Sequence, residues 1–135
     1  MNRVIFTLIL LVGLSGMAVA GTTSDLQTIC NHYAMAPASA DFSNDTTSVA
    51  CFMYVRGVAE EMAGEIVISP DNKYVVGLWA DGVSNDQVIR VFIKYVAANP
   101  ETLNKPAFFI VRYAAVAAGL YSYTPYKAPI VPSNN

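Results

Sequence analysis

The sequence predicts a small, mostly α-helical single domain: a bundle of about four helices with one irregular or short β-hairpin excursion near 65–83. Three observations carry this expectation. Apolar residues recur at three- and four-residue spacing in several stretches, as buried helix faces require. Two of those stretches open on helix start signals of the Ser-x-x-Gln type. The chain, at 135 residues with 54% apolar content, is long enough for one core and too apolar for disorder.

The first 20 residues read as a secretory signal peptide. Asn2 and Arg3 give a basic start, Val4 to Leu14 an apolar run broken by Thr7 and Gly13, and Ala18-Val19-Ala20 a small-x-small cleavage site. The run is too short for a bilayer span, which takes about 20 residues. Cleavage after Ala20 leaves 115 residues, in which seven Lys and Arg face ten Asp and Glu, a net charge of −3. That balance speaks against nucleic acid and against a membrane role after cleavage, both of which call for basic patches.

Within the remainder, Ser24-Asp25-Leu26-Gln27 fits a capping box that starts a first helix near Ser24, with Leu26, Cys30 and Tyr33 on one face. Ala34 to Asn44 reads as a loop. A second helix runs from about Thr47 to Ala63, its buried stripe formed by Cys51, Tyr54 or Val55, Val58 and Met62. Gly57, Ala59 and Ala63 are small enough to admit another helix, Glu60 and Glu61 mark the wet side, and Gly64 terminates it. Residues 65 to 83 read either as two short strands around Asp71-Asn72-Lys73 or as an irregular excursion. Ser84-Asn85-Asp86-Gln87 is a second capping box, opening a third helix with Val88, Val91, Phe92, Tyr95 and Val96 inside and Arg90 and Lys94 outside. Asn99-Pro100 stops it. A fourth helix begins near Asn104, tolerates Pro106 in its first turn, and runs through Phe108, Val111, Ala115 and Ala118 towards Gly119. The domain ends at Tyr121. The tail, residues 122–135, rich in tyrosine and proline, is expected to be extended and partly disordered beyond Tyr126.

Little in this inventory suggests chemistry. Two cysteines in an exported chain most often pair, so Cys30 and Cys51 are expected to form a disulfide between the first two helices. One histidine and two cysteines fall short of the usual metal ligand set, and no metal or cofactor is expected. In a helix, two positions separate Cys30 and His32 by about 200°, so they form no local dyad. Cys51 with His32 stays geometrically open across the loop, although a surface or capping histidine is the better reading. Glu60, Glu61 and Glu65, with Asp81 and Asp86, read as a solvated acidic face rather than a catalytic carboxylate pair. Trp79, the only tryptophan, is either a core plug or a binding anchor. From the residues alone, no enzyme emerges.

Several stretches in order resemble a known family. Cys51-Phe52-Met53-Tyr54-Val55-Arg56-Gly57 resembles its cysteine-aromatic-glycine helix, and Asp81-Gly82-Val83-Ser84 with Gln87 its loop into the third helix. Lys94-Tyr95-Val96, Asn99-Pro100-Glu101-Thr102-Leu103 and Pro106-Ala107 resemble its helix, proline turn and helix. The family is that of the type VI secretion immunity proteins of the Rap and Tai groups, which neutralise cell-wall amidase toxins. Its members often carry two further cysteines, one before the Asp-Gly-Val loop and one after the last helix. Leu78 and Tyr121 or Ser122 stand near those places here, consistent with loss of one whole disulfide. Ala80 stands where a proline usually follows the loop cysteine, so the loop has its own shape.

The resemblance implies a periplasmic inhibitor without catalysis, whose partner is a cell-wall amidase effector and which forms homodimers in many members. An acidic loop around Asp71, Trp79 and Asp81 is the expected partner-binding site, with Trp79 as anchor and the carboxylates steering encounter. The competing readings are a periplasmic acid-stress chaperone and an exported protein-binding module with an unrelated partner.

Overall fold

The computed structural model describes residues 21–36 and 45–127. The expected signal peptide, most of the 34–44 loop and the tail beyond Lys127 lie outside the described residues. Helix α1 (Thr23–Met35) is followed by α2 (Thr46–Met62), the strands β1 (Ile66–Ile68) and β2 (Tyr74–Trp79), α3 (Asn85–Ala98), a 3-10 turn (Pro100–Thr102), α4 (Ala107–Ala117) and β3 (Tyr121–Pro125). The four helices form the bundle. The three strands form one antiparallel sheet in the order β1-β2-β3.

The helices form where apolar spacing and caps agree. Leu26 and Cys30 of α1, Cys51, Val55, Val58 and Met62 of α2, and Val88, Phe92 and Val96 of α3 are all buried. Ile89, which the third stripe had left out, is buried as well. The Ser84–Gln87 capping box forms as expected, Ser84 Oγ accepting from Gln87 N–H and Gln87 Oε1 from Ser84 N–H.

The first capping box is displaced. Thr22 is the N-cap and Asp25 the reciprocating side chain, two residues before the Ser24–Gln27 pair. Long-range contacts decide between the two overlapping signals. Thr23 N–H and Oγ1–H both donate to the Lys105 carbonyl at 2.9 Å, and Ser24 N–H donates to Leu103. The start of α1 is thereby stitched to the approach of α4, and Thr22 pairs with Pro106 in a β-bridge.

That stitching also explains why α4 starts at Ala107 and not near Asn104. Residues 100–105 are spent on the 3-10 turn and on the carbonyls that receive α1, leaving Pro106 as N-cap. Gly57 departs from expectation too: it is exposed and nothing lies within 4 Å of where its Cβ would stand, so no helix packs there. Gly64, with φ +72°, ends α2 as expected.

The excursion at 65–83 is the strand pair β1–β2, with Val67 opposite Val75. The third strand comes from the tyrosine- and proline-rich segment, which carries the sheet to Pro125, past the boundary drawn at Tyr121. Its inner face docks on the helices through Tyr121, which is buried against β2 at Gly77. A Cβ on Gly77 would stand 1.6 Å from the Tyr121 hydroxyl oxygen, so only glycine admits this approach.

Candidate functional site

The two cysteines sit in the core between α1 and α2, their sulfurs 2.11 Å apart. Both thiols are thereby consumed, and no nucleophilic cysteine remains among the described residues. His32 lies at the exposed end of α1, where Nε2 stands 3.0 Å from Asp45 Oδ2. Asp45 is the N-cap of α2, accepting from Thr47 N–H, Ser48 N–H and Ser48 Oγ–H. The Ser48 hydroxyl, then the Ser48 amide and His32, hold the Asp45 carboxyl below its ordinary range. His32 therefore braces a helix start beside the disulfide.

The carboxylates do not converge on a reaction centre. Helix α2 stops at Met62, so Glu61 and Glu65 share no helix face, yet both reach the same partner: Arg112 of α4 donates to Glu61 at 3.1 Å and to Glu65 Oε2 at 2.6 Å. Tyr123 O–H donates to Glu65 at 2.7 Å, Tyr121 O–H to Glu65 at 3.2 Å and to the Met62 carbonyl, and the Arg112 guanidinium lies 5.2 Å from the Phe108 ring centroid.

Burial opposes ionisation of Glu65, but the bonds from Arg112 and Tyr123 outweigh it and keep its carboxyl below the ordinary range. Burial, then the Glu65 charge, pushes the Tyr121 hydroxyl well up. A carboxylate held ionised, an arginine held charged and tyrosines held neutral form a clasp between helices and sheet, poorly suited to moving protons. The sequence reading missed it. The available signal was Arg112 itself, the single charge in the apolar run Ala107–Ala117.

The three expected contact residues are split between two places. Asp71 sits in the β1–β2 turn, where Lys73 pairs with it at 2.7 Å and the Ser69 hydroxyl donates to it. Trp79 and Asp81 lie at the other end of β2, roughly 17–20 Å away for a six-residue strand. Trp79 is half-buried: its Nε1–H donates to the Ala59 carbonyl at 3.1 Å, and its ring meets Tyr121 edge-on at 4.9 Å. Asp81 is exposed at the tip of a turn closed by Val83 N–H on the Ala80 carbonyl.

Between Trp79, α2 and the first turn of α3 lies a notch of about 210 Å³. Its floor is apolar, from Ala59, Ala63, Val83 and Val88, and the ion pair Arg56–Glu60, at 2.7 Å, stands on its rim. Arg56, Ala59, Glu60 and Ala63 follow helical spacing on one stripe of α2. The small residues expected to admit a helix thus give room to Trp79 and leave this notch beside it.

Among the described residues, no three of His, Cys, Asp and Glu gather to hold a metal, and no helix is long and apolar enough to cross a membrane. What the surface presents is a stapled scaffold with a preformed notch and an exposed carboxylate beside it, the makings of a protein-binding module. Residues 22–118 match the family model of the Rap1a immunity proteins, and the chain belongs to that family. It is thus a type VI secretion immunity protein, a class that implies an inhibitor role through binding a toxin protein. No curated protein and no solved structure matches the chain significantly.

Proposed function

We propose that the chain is a periplasmic inhibitor of a peptidoglycan amidase delivered by type VI secretion, which it binds so as to occlude the substrate cleft and spare the producing cell. The observation that carries this reading is the family match over residues 22–118, on a scaffold whose disulfide suits an oxidising compartment. Export through a cleaved signal at residues 1–20 supplies that compartment, and residues 21–121 form the working domain, whose sheet the first four residues of the 122–135 tail complete.

The toxin docks at the β2–α3 corner, where Trp79 lines the notch and the exposed Asp81 steers a basic surface into place. Asp71, neutralised by Lys73 at the far end of the hairpin, contributes at the margin. A second copy of the chain is a further partner. Helix α4 has one charge in eleven residues yet leaves Phe109, Tyr113 and Val116 exposed, an apolar stripe that a homodimer would cover.

The test is a pull-down with oxidised protein, residues 21–135, from periplasmic and secreted fractions of its own organism. Recovery of a cell-wall amidase is the expected result. Recovery of many unrelated proteins, increasing as the pH is lowered, would replace this reading with a chaperone, and recovery of none would remove the amidase.

A further inference from the structure

We propose that the notch beside Trp79 is a socket for one large uncharged side chain of the toxin, and that Trp79 is its fixed wall and not an inserted anchor. The inference rests on the reading of the chain as an amidase inhibitor that docks at this corner.

Trp79 is held in two ways. Its indole N–H is used by the Ala59 carbonyl at 3.1 Å, and its ring is seated edge-on against the buried Tyr121. To swing outward as a plug it would lose both contacts and uncover Tyr121. Held in place, it offers a rigid aromatic surface that costs no ordering when a partner arrives.

The size of the notch limits its occupant. About 210 Å³ lies below the 300–1,000 Å³ typical of small-molecule sites, so it suits a single side chain. Its electrostatics limit the chemistry. Arg56 and Glu60, the two charges on the rim, pair through Nε and Oε1 at 2.7 Å, so the rim carries no net charge. The Ser84 hydroxyl, also at the notch, accepts from Gln87 N–H. An incoming cation or anion would meet a rim without net charge and would have to compete with that pair. A leucine, methionine or phenylalanine side chain would instead bury itself on Ala59, Ala63, Val88 and the indole.

Around the socket the charge pattern points to the neighbourhood of that side chain. Asp86 is tied to Arg90 at 2.7 Å, whereas Asp81 is exposed and makes no ion pair among the described residues. With a net charge of −3 after leader removal, the corner favours a basic surface on the partner. The partner feature it fits is therefore an apolar knob set among basic residues, the arrangement of a buried hot spot inside a polar ring.

The single tryptophan makes the test direct. Oxidised protein labelled with 5-fluorotryptophan gives one fluorine resonance, and the amidase recovered in the pull-down, unlabelled, adds none. The expected result is a shift of that resonance on binding. Ala63→Leu, which fills the notch from an exposed position, should weaken binding about 10- to 100-fold, the equivalent of excluding one large apolar side chain. Asp81→Asn should slow association and flatten its dependence on salt. Tight binding with an unmoved resonance, or unchanged affinity in Ala63→Leu, would overturn the socket and leave the inhibitor reading standing. An amidase that the wild-type chain neither binds nor inhibits would overturn both.

Discussion

Replacing Gly77 by alanine tests how the sheet is mounted on the helices. An alanine Cβ would stand 1.6 Å from the Tyr121 hydroxyl oxygen, 2.4 Å from Cζ and 2.9 Å from Cε1. The ring has nowhere to retreat: it is buried, it meets Trp79 and Tyr123 edge-on, and its hydroxyl is bonded to Met62 and Glu65. Overpacking of this kind costs about 1–3 kcal/mol. Displacing the ring also forfeits buried hydrogen bonds, about 1–3 kcal/mol more. Gly77→Ala should therefore destabilise the fold by about 3 kcal/mol, a large share of the 5–15 kcal/mol typical of a domain.

Urea unfolding followed by Trp79 fluorescence measures this cost, and a double-mutant cycle isolates its cause. In a Tyr121→Ala background the clash is gone, so Gly77→Ala should be neutral or stabilising by up to about 1 kcal/mol through lost glycine entropy. A cost below about 1 kcal/mol in the wild type, or the same cost in both backgrounds, would refute the argument.

The clasp predicts an acid dependence. The Glu65 carboxyl is held below its ordinary value of 4.5, so its contribution is complete above that value and is lost as pH falls through the lowered one. Glu65→Gln should cost about 2–3 kcal/mol at pH 7, because the largely buried Arg112 then keeps only the exposed Glu61 as counter-charge, and should flatten the decline of stability below pH 4.5. An unchanged acid slope in chemical unfolding would contradict it. Removing the disulfide by Cys30→Ala with Cys51→Ala should cost about 3 kcal/mol, and a loss under 1 kcal/mol would show that the bundle does not need the staple.

Leu78→Cys with Ser122→Cys should close a second bridge. The two residues are register partners, and the bonds Ala80 N–H to Leu120 and Tyr126 N–H to Tyr74 make theirs a hydrogen-bonded pair with Cα atoms about 5.5 Å apart. Loss of two thiols by mass and a gain of about 2–4 kcal/mol over the reduced form are expected. Two free thiols after air oxidation would count against the register.

The sequence showed most clearly what is local. The stripes of α2 and α3, the Ser84–Gln87 box and the Gly64 terminator depend on neighbours within a few residues, and they appear where the spacing places them. Of the two residues read near the second place, Tyr121 or Ser122, it is Ser122 that faces Leu78 across the β2–β3 ladder, while Tyr121 faces Trp79.

What escaped depends on contacts far along the chain. Thr22 won the first cap because Lys105 and Leu103 hold Thr23 and Ser24 from some 80 residues away. The strand at 121–125 reads from the sequence as merely extended, because its partner lies more than 40 residues earlier and the segment around it is rich in tyrosine and proline. Glu65 and Arg112 meet across 47 residues, which no periodicity reports. At the candidate site, Trp79 was legible as a choice between plug and anchor, and it is the packing of its indole on Ala59 and Tyr121 that makes it a wall.

Inhibition of a cell-wall amidase by this chain is measured by titrating the purified enzyme with oxidised chain and following the release of peptidoglycan fragments. If the proposed binding silences the enzyme, activity falls linearly and reaches zero at one chain per enzyme; hydrolysis that continues undiminished at several-fold excess would contradict the proposal.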